Sequence, residues 1–191
     1  MANDLRKDFY NEFSQYPIFA YNCIAYLIND ANDENLELLW RLLYYNDNNA
    51  WKEDSDHPNL TVDQKRALIY NGEQDPQNYR VFMDTGMDNA IEDEICLIRI
   101  SPFEIVPIQQ GIGSVSMAFE VYCHYKINTL SNHQTRIDTI TQLMIGALNG
   151  EPIEGVGRLY FNSRASRQCR SVPIGQIPFR GRRTIMCNWT A

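Results

Sequence analysis

Long apolar runs are absent from this sequence of 191 residues. No stretch approaches the roughly 20 apolar residues that a helix needs to cross a bilayer. The opening stretch, MANDLRKDFYNEF, is polar, has a helical pattern and lacks the apolar centre of a signal peptide. We therefore expect a protein that is made and kept in a cytoplasm and has no membrane partner.

Paired cysteine motifs are also missing. The chain has five cysteines, an odd number, and no C-x-x-C pair occurs among them. Cys96, Cys123 and Cys187 lie within alternating apolar residues, where a thiol behaves as a small hydrophobic group. This pattern predicts reduced cysteines in a core rather than a disulfide framework. The cysteines are too scattered to predict a zinc site.

Acidic residues and lysine are both absent from residues 155–191. That segment has a net charge of +7, whereas residues 1–154 carry 24 acidic and 10 basic side chains and a net charge of −14. Opposite charges in two parts of a chain suit head-to-tail contact between copies, or contact with a polyanion. The alternatives are that these charges are solvated, or that the arginines pair with acids of the same molecule. The arginines, taken as candidate residues of a subunit interface, are Arg158, Arg164, Arg167, Arg170, Arg180, Arg182 and Arg183.

No arrangement of residues in the sequence is typical of catalysis. Glu120 and His124 share a strand face, but roughly 13 Å separates their backbones at ~3.3 Å per residue. Gly111 and Gly113 form a lone G-x-G with no helix after it, so a phosphate site is not predicted. We therefore expect a protein that is not an enzyme and that has no cofactor and no metal.

The strongest pattern runs from Ser114 to Gly150. Alternating apolar residues over Val115–Ile127 predict a half-buried strand. The spacing of Ser131 and Gln134 predicts a capping box, and an amphipathic helix follows and ends at Asn149-Gly150. Its apolar stripe comprises Ile137, Ile140, Leu143, Met144, Ala147 and Leu148, and we expect it to pack on the apolar face of the strand.

Short helices are predicted before this unit. They cover residues 3–13, a stretch from Pro17 to Ile28, a stretch from an Asp33 cap to about Tyr45, and a stretch from a Thr61–Gln64 capping box to Asn71-Gly72. Residues 46–60 are polar and lack periodicity, so they predict a loop in which His57 is solvated.

Several further strands are predicted around the central unit. They cover residues 80–83, 94–108, 157–161, 169–174 and 182–189. Pro102 and Pro107 limit the second of these to an edge or to a bent strand with a break. The predicted fold is α+β: short N-terminal helices, residues 1–75, then a mostly antiparallel sheet covered by one amphipathic helix, residues 76–191.

The C-terminal half resembles the neck and tail-completion proteins of tailed bacteriophages, the tail-terminator type in particular. The resemblance covers about residues 93–191. It rests on the segments FEVYCHYKI (119–127), RID-x-I (136–140), the helix that ends at LNG (148–150), and G-x-GRL (155–159). It is a likeness of pattern and element order.

That resemblance implies a sheet flanked by helices and a ring between portal and tail. By implication, the protein is a structural subunit of a virion, assembled in the host cytoplasm as a homo-oligomeric ring. Its implied neighbours are neck, portal or tail-tube proteins, and DNA only passes through the lumen. The resemblance supplies no catalytic residues.

A second hypothesis comes from the same basic segment. Its arginines lie beside Tyr160, Phe161, Phe179 and Trp189, and guanidinium and aromatic groups suit phosphates and stacked bases. A nucleic-acid-binding or host-interaction module is therefore the alternative function. The absence of lysine favours protein–protein contact.

Overall fold

The computed structural model has an α+β fold. It describes residues 16–29, 33–72, 78–83, 94–109, 112–153, 157–161, 168–174 and 177–190. The helix predicted over residues 3–13 and the boundary predicted between residues 75 and 76 lie outside these ranges. The helices are α1 Tyr16–Asn29, α2 Glu34–Tyr44, α3 Val62–Ala67, α4 Tyr125–Asn128 and α5 Arg136–Leu148.

The strands of the described residues form one mostly antiparallel sheet. They are β1 Val81–Phe82, β2 Cys96–Gln109, β3 Ile112–His124, β4 Pro152–Ile153, β5 Gly157–Phe161, β6 Gln168–Ile174 and β7 Ile177–Thr190. Their order is β1-β2-β3-β7-β5-β4, and β6 also pairs with β7. Only β1 and β2 form a parallel strand pair there. The long β7 therefore has β3 along one edge and both β5 and β6 along the other.

The hairpin of β2 and β3 lies at the centre of the fold. Met117, Phe119, Val121 and Cys123 alternate along β3 and are buried in the main core, as the sequence predicted. The predicted proline disruption is also present, because the register shifts at Pro102/Glu104 and at Pro107/Gln109. Bulges at these positions accommodate residues that cannot donate a ladder hydrogen bond.

The prediction of a half-buried strand over residues 115–127 was wrong in two respects. Glu120, Tyr122 and His124, on the second face of β3, are also buried, because Phe82, Ile95 and Leu97 cover that face with Tyr122 in a second apolar cluster. The strand also ends early, at His124. The side chain of His124 accepts a hydrogen bond from the backbone N–H of Lys126 and so caps the start of α4.

The amphipathic helix α5 packs as predicted, but it starts differently. Ile137, Ile140, Met144 and Leu148 are buried in the main core. The expected capping box of Ser131 and Gln134 is absent, because the helix begins at Arg136. Asn128 Oδ1 accepts from the backbone N–H of Ile137 at 3.1 Å and satisfies the first turn instead. Gly150, with φ 82°, follows the end of the helix.

The first helices complete the core. α1 contributes Cys23, Ile24 and Leu27, and α2 contributes Leu36, Leu39, Trp40 and Leu43. Asp33 caps α2 as predicted, since its Oδ1 accepts from the backbone N–H of Asn35 at 2.8 Å. These helices and α5 share one apolar core with the first face of the sheet.

The helix α3 begins as predicted and ends early. Thr61 and Gln64 form the complete capping box. The helix does not continue to Asn71-Gly72, because Leu68 O accepts from the backbone N–H of Val81 at 3.0 Å. The chain then runs parallel to β1 at Ile69, so pairing with a strand replaces the next helical turn.

Candidate subunit interface

Arg158 is the predicted interface residue whose side chain the structure describes. It is exposed on β5, and its Nη1 donates to Gly150 O at 2.6 Å. Tyr160 is 56% exposed, whereas Leu159 between them is fully buried. Because side chains alternate along a strand, Arg158 and Tyr160 share the outer face of β5. A cation and a large ring therefore lie together at the surface.

Four more of the predicted arginines belong to the β6–β7 hairpin, where the backbone register places them. Arg180 on β7 is opposite His124 of β3 and opposite Val172 of β6. These arginines therefore belong to strands within the sheet, and β7 has partners along both of its edges. The four are Arg170 on β6 and Arg180, Arg182 and Arg183 on β7.

Arg164 and Arg167 lie in residues 162–167, outside the described residues. The chain connects β5 to β6 through this segment. Their assignment to an interface therefore stays a prediction.

A buried carboxylate lies on the second face of β3. Glu120 Oε2 accepts from Tyr122 Oη at 3.1 Å and lies 3.6 Å from Arg99 Nη1 on β2. Arg99 and Glu120 are paired across the two strands, which is where opposite charges stabilise a sheet. His124, four residues further along β3, caps α4.

The polar loop of residues 46–60, here named the acidic loop, is the segment in which acidic side chains are exposed together. It carries four acids and one lysine. The side chains of Asp47, Glu53 and Asp54 are 51%, 61% and 42% exposed, and Asp56 is exposed as well. The loop therefore presents negative charge to solvent.

Two buried arginines hold the acidic loop to the body of the protein. Arg136 is fully buried and donates to the backbone carbonyls of Tyr45 and Asp47, each at 2.5 Å. Arg41 donates to Trp51 O at 3.2 Å and to Asn59 Oδ1 at 2.5 Å. Both ends of the loop are fixed in this way, so its carboxylates have defined positions.

The prediction that His57 is solvated was wrong. The residue is 8% exposed and lies between two carboxylates of its own loop. Its Nδ1 is 2.9 Å from Asp54 Oδ1, and its Nε2 is 2.9 Å from Asp47 Oδ2. Both ring nitrogens have acceptors within the loop, and these contacts offset the free-energy cost of burying the imidazolium.

These contacts shift the pKa values of all three groups. Burial lowers the pKa of His57, but the hydrogen bonds to Asp47 and Asp54 outweigh it and raise that pKa overall. Burial raises the pKa of Asp47, yet the hydrogen bond from His57 leaves it below its usual value. The separate hydrogen bond between His57 Nδ1 and Asp54 lowers the pKa of Asp54. A protonated His57 therefore crosslinks the acidic loop.

Sequence reasoning missed the buried cations. Arg136 precedes Ile140, Met144 and Leu148 at steps of four, so it lies in line with the apolar stripe of α5, and this position could have revealed its burial. Lys65 is likewise buried, and its Nζ donates to Glu37 Oε1. No sequence pattern indicated the pairing of Lys65 with Glu37, because the two residues are on different helices.

Other features of the described ranges are sparse. A cleft of ≈ 290 Å³ lies between the start of α2 and α5. Within those ranges, no group of three or more His, Cys, Asp or Glu side chains could hold a metal ion. No helix described there is long and apolar enough to cross a membrane.

Comparison with known proteins places the chain in a family. No curated protein and no solved structure matches it. The sequence model of the YomW family matches residues 37–186, which include most of α2, all of α5 and most of the sheet. YomW is a protein of the Bacillus phage SPBeta region, which indicates a phage origin. The chain therefore belongs to the YomW family.

Proposed function

We propose that this protein is a structural subunit of a bacteriophage virion and forms a homo-oligomeric ring at the head–tail connection. The observation that carries the proposal is its charge division. An anchored acidic loop lies on one part of the fold, and arginine-bearing strands form another. Membership of a phage-derived family and the resemblance to tail-terminator proteins support the same function.

The division of charge suits a contact between unlike surfaces of neighbouring copies. Such heterologous contacts close into a ring when the rotation between copies allows it. The acidic loop is anchored by Arg136 and Arg41, so its carboxylates lose little freedom on binding. Arginines form paired hydrogen bonds with carboxylates and fix the register of a contact.

The ring is the proposed site of contact with other virion proteins. Its neighbours are neck, portal or tail-tube proteins, and DNA meets it only by passing through the lumen. The protein assembles in the host cytoplasm and remains in the virion. No catalytic step is part of this role.

Charge reversal at Arg158 tests the contact. Arg158→Glu should raise the concentration needed for half assembly at least about tenfold, as removal of an interface arginine often does. Light scattering after gel filtration measures this. Arg66→Glu, an exposed arginine on α3, is the matched control and should assemble normally. Circular dichroism should show both variants folded. Equal assembly of the two would exclude Arg158 from the interface.

Arg164 and Arg167 require a second assay because they lie outside the described residues. Reversal of both to Glu should leave the chain folded and block its incorporation into particles. Normal particles would contradict a contact at these positions.

Labelled antibodies against the chain should bind the neck of purified particles in electron micrographs. A protein missing from particles would refute the virion role itself.

Nucleic-acid binding remains the second candidate because Arg158 and Tyr160 share an exposed face. A cation beside a ring is the pair that binds phosphate and base together. Filter binding with short DNA at low and moderate salt separates the two functions. Tight binding that weakens steeply with salt would favour the alternative, and weak binding at both salt concentrations would favour the ring.

A further inference from the structure

Cys96 and Cys123 face each other across the central hairpin. They are register partners on β2 and β3, both are free thiols, and both are buried, at 0% and 1% exposure. As register partners the two side chains share one face of the hairpin, and both belong to the main core. The sequence separates them by a whole hairpin, so only the fold brings them together.

The register identifies the kind of strand pair that they form. The backbone N–H of His124 donates to Ile95 O at 3.1 Å, so the next pair along, Cys96 and Cys123, is a non-hydrogen-bonded pair. In such pairs the Cα atoms are about 4.5 Å apart and the side chains are closest. That separation lies at the short end of the range of about 4.4–6.8 Å that disulfides span. On β7 the residue in register with Cys123 is Gly181, so no side chain of β7 competes at this position.

We propose that Cys96 and Cys123 are a reversible dithiol that closes to a disulfide with a peroxide oxidant. Cys96 Sγ attacks a peroxide oxygen, the O–O bond breaks, hydroxide leaves, and a sulfenic acid forms. Cys123 Sγ then attacks Cys96 Sγ, the S–O bond breaks, and the oxygen leaves as water with the Cys123 proton. Two thiols lose two electrons in total, and one hydrogen peroxide becomes two waters.

The surroundings of the pair assign the roles of the two sulfurs. Burial disfavours a thiolate at Cys96, but the neighbouring Cys123 thiol and the charges of Arg136 and Arg80 lower its pKa overall. Burial and the neighbouring Cys96 thiol raise the pKa of Cys123 well above its usual value. Cys123 Sγ also donates to His124 O at 3.6 Å. Cys96 is therefore the attacking thiol and Cys123 the resolving one.

The pair belongs to the monomer, so its chemistry holds whether or not the chain assembles into a ring. A reducing cytoplasm keeps thiols reduced, and oxidising surroundings outside a cell favour disulfides. The pair would therefore remain as two thiols in the host cytoplasm and would close to the crosslink in oxidising surroundings outside it.

Peptide mapping of the full-length protein tests the proposal. The reduced protein is exposed to hydrogen peroxide, its free thiols are alkylated, and it is digested with trypsin without reduction. Trypsin separates the two cysteines at Arg99, into peptides 81–99 and 100–126. We expect these peptides to be joined, with a mass lower by two hydrogens than their sum, and to separate on reduction. Recovery of both as unlinked peptides, alkylated or as sulfinic acids, would overturn the proposal.

Variants add a second measurement that does not depend on the map. Oxidation should raise the melting temperature of the wild-type protein by roughly 5–10 °C, because the disulfide closes a loop of the unfolded chain. Cys96→Ala should abolish this rise. Cys23→Ala, an equally buried cysteine on α1, is the matched control and should retain both the rise and the crosslink. A rise that survives Cys96→Ala would overturn the assignment.

Discussion

Replacing Arg136 with methionine should destabilise the protein more than any surface substitution. Among the residues that the structure describes, no carboxylate forms an ion pair with its guanidinium. It donates instead to the carbonyls of Ile127 at 3.0 Å, Leu42 at 2.7 Å, Tyr45 at 2.5 Å and Asp47 at 2.5 Å. The carbonyls of Leu42 and Tyr45 lie at the C-terminal end of α2, where helix carbonyls lack partners and the dipole is negative. One side chain thus joins α2, α4, α5 and the acidic loop.

The size of the effect follows from these contacts. Hydrogen bonds to a charged group contribute about 1.5–3 kcal/mol each, and a buried carbonyl that is left without a donor costs about 1–3 kcal/mol. Methionine restores part of the packing but leaves carbonyls without donors. We expect a loss of about 4 kcal/mol in the free energy of unfolding. For a chain of this size that corresponds to a melting temperature lower by roughly 8–16 °C.

Urea denaturation followed by circular dichroism measures this loss. Arg136→Lys should lie between the wild type and Arg136→Met, at about 2 kcal/mol, because a single ammonium cannot reach carbonyls in several directions. Arg66→Met, at an exposed arginine, should change the stability by under ~0.5 kcal/mol. A cost below about 1 kcal/mol for Arg136→Met would refute the reasoning that these carbonyls depend on the guanidinium.

Two further predictions concern the core and the acidic loop. Phe119→Ala should lower the free energy of unfolding by about 3–5 kcal/mol in denaturant melts, because the ring, on β3, is fully buried in the main core. A loss under about 1 kcal/mol would contradict that burial. The pKa of His57 is raised in the folded protein. Protonated His57 therefore stabilises the fold fully below its unfolded pKa of 6.5, and this stabilisation is lost as the pH rises through the folded pKa. The urea midpoint of the wild type should therefore fall relative to that of His57→Gln as the pH rises above about 6.5. Parallel pH profiles would show that the ring carries no charge in the loop.

The hairpin and two of the caps could be predicted because their determinants are local. Side chains alternate along β2 and β3, and the apolar residues of each strand mark one face. Asp33 and Thr61 each find their acceptor or donor within three residues. Patterns of this kind are complete in a short window of sequence.

The failures share a different cause. Ser131 has the same spacing to Gln134 as Thr61 has to Gln64, but its hydroxyl accepts from Trp51 Nε1 at 2.8 Å and donates to Asn49 Oδ1 at 2.7 Å. Those partners lie about eighty residues away in the chain, and no local window contains them. The burial of His57 was missed because a polar loop normally lies in solvent.

For the arginines predicted to lie at an interface, the sequence indicated some structural positions and missed others. The sequence placed Arg158 on a strand, and the structure confirms its exposure. The sequence did not show that Arg180, Arg182 and Arg183 would lie on a strand with partners along both edges. Strand order depends on contacts between distant segments, so the position of β7 within the sheet could not be read from its own residues.

The way in which the acidic loop is anchored bears on how it can evolve. Arg136 and Arg41 bind main-chain carbonyls at Tyr45, Asp47 and Trp51, and Arg41 also binds the side chains of Glu53 and Asn59. Every amino acid offers the same carbonyl, so the side chains of the loop that take no part in these contacts can be exchanged while the backbone keeps its path. Relatives of this protein could therefore diverge in what this surface recognises without redesigning the scaffold, much as antibody loops do. The same property makes the segment a suitable place for grafting a foreign epitope.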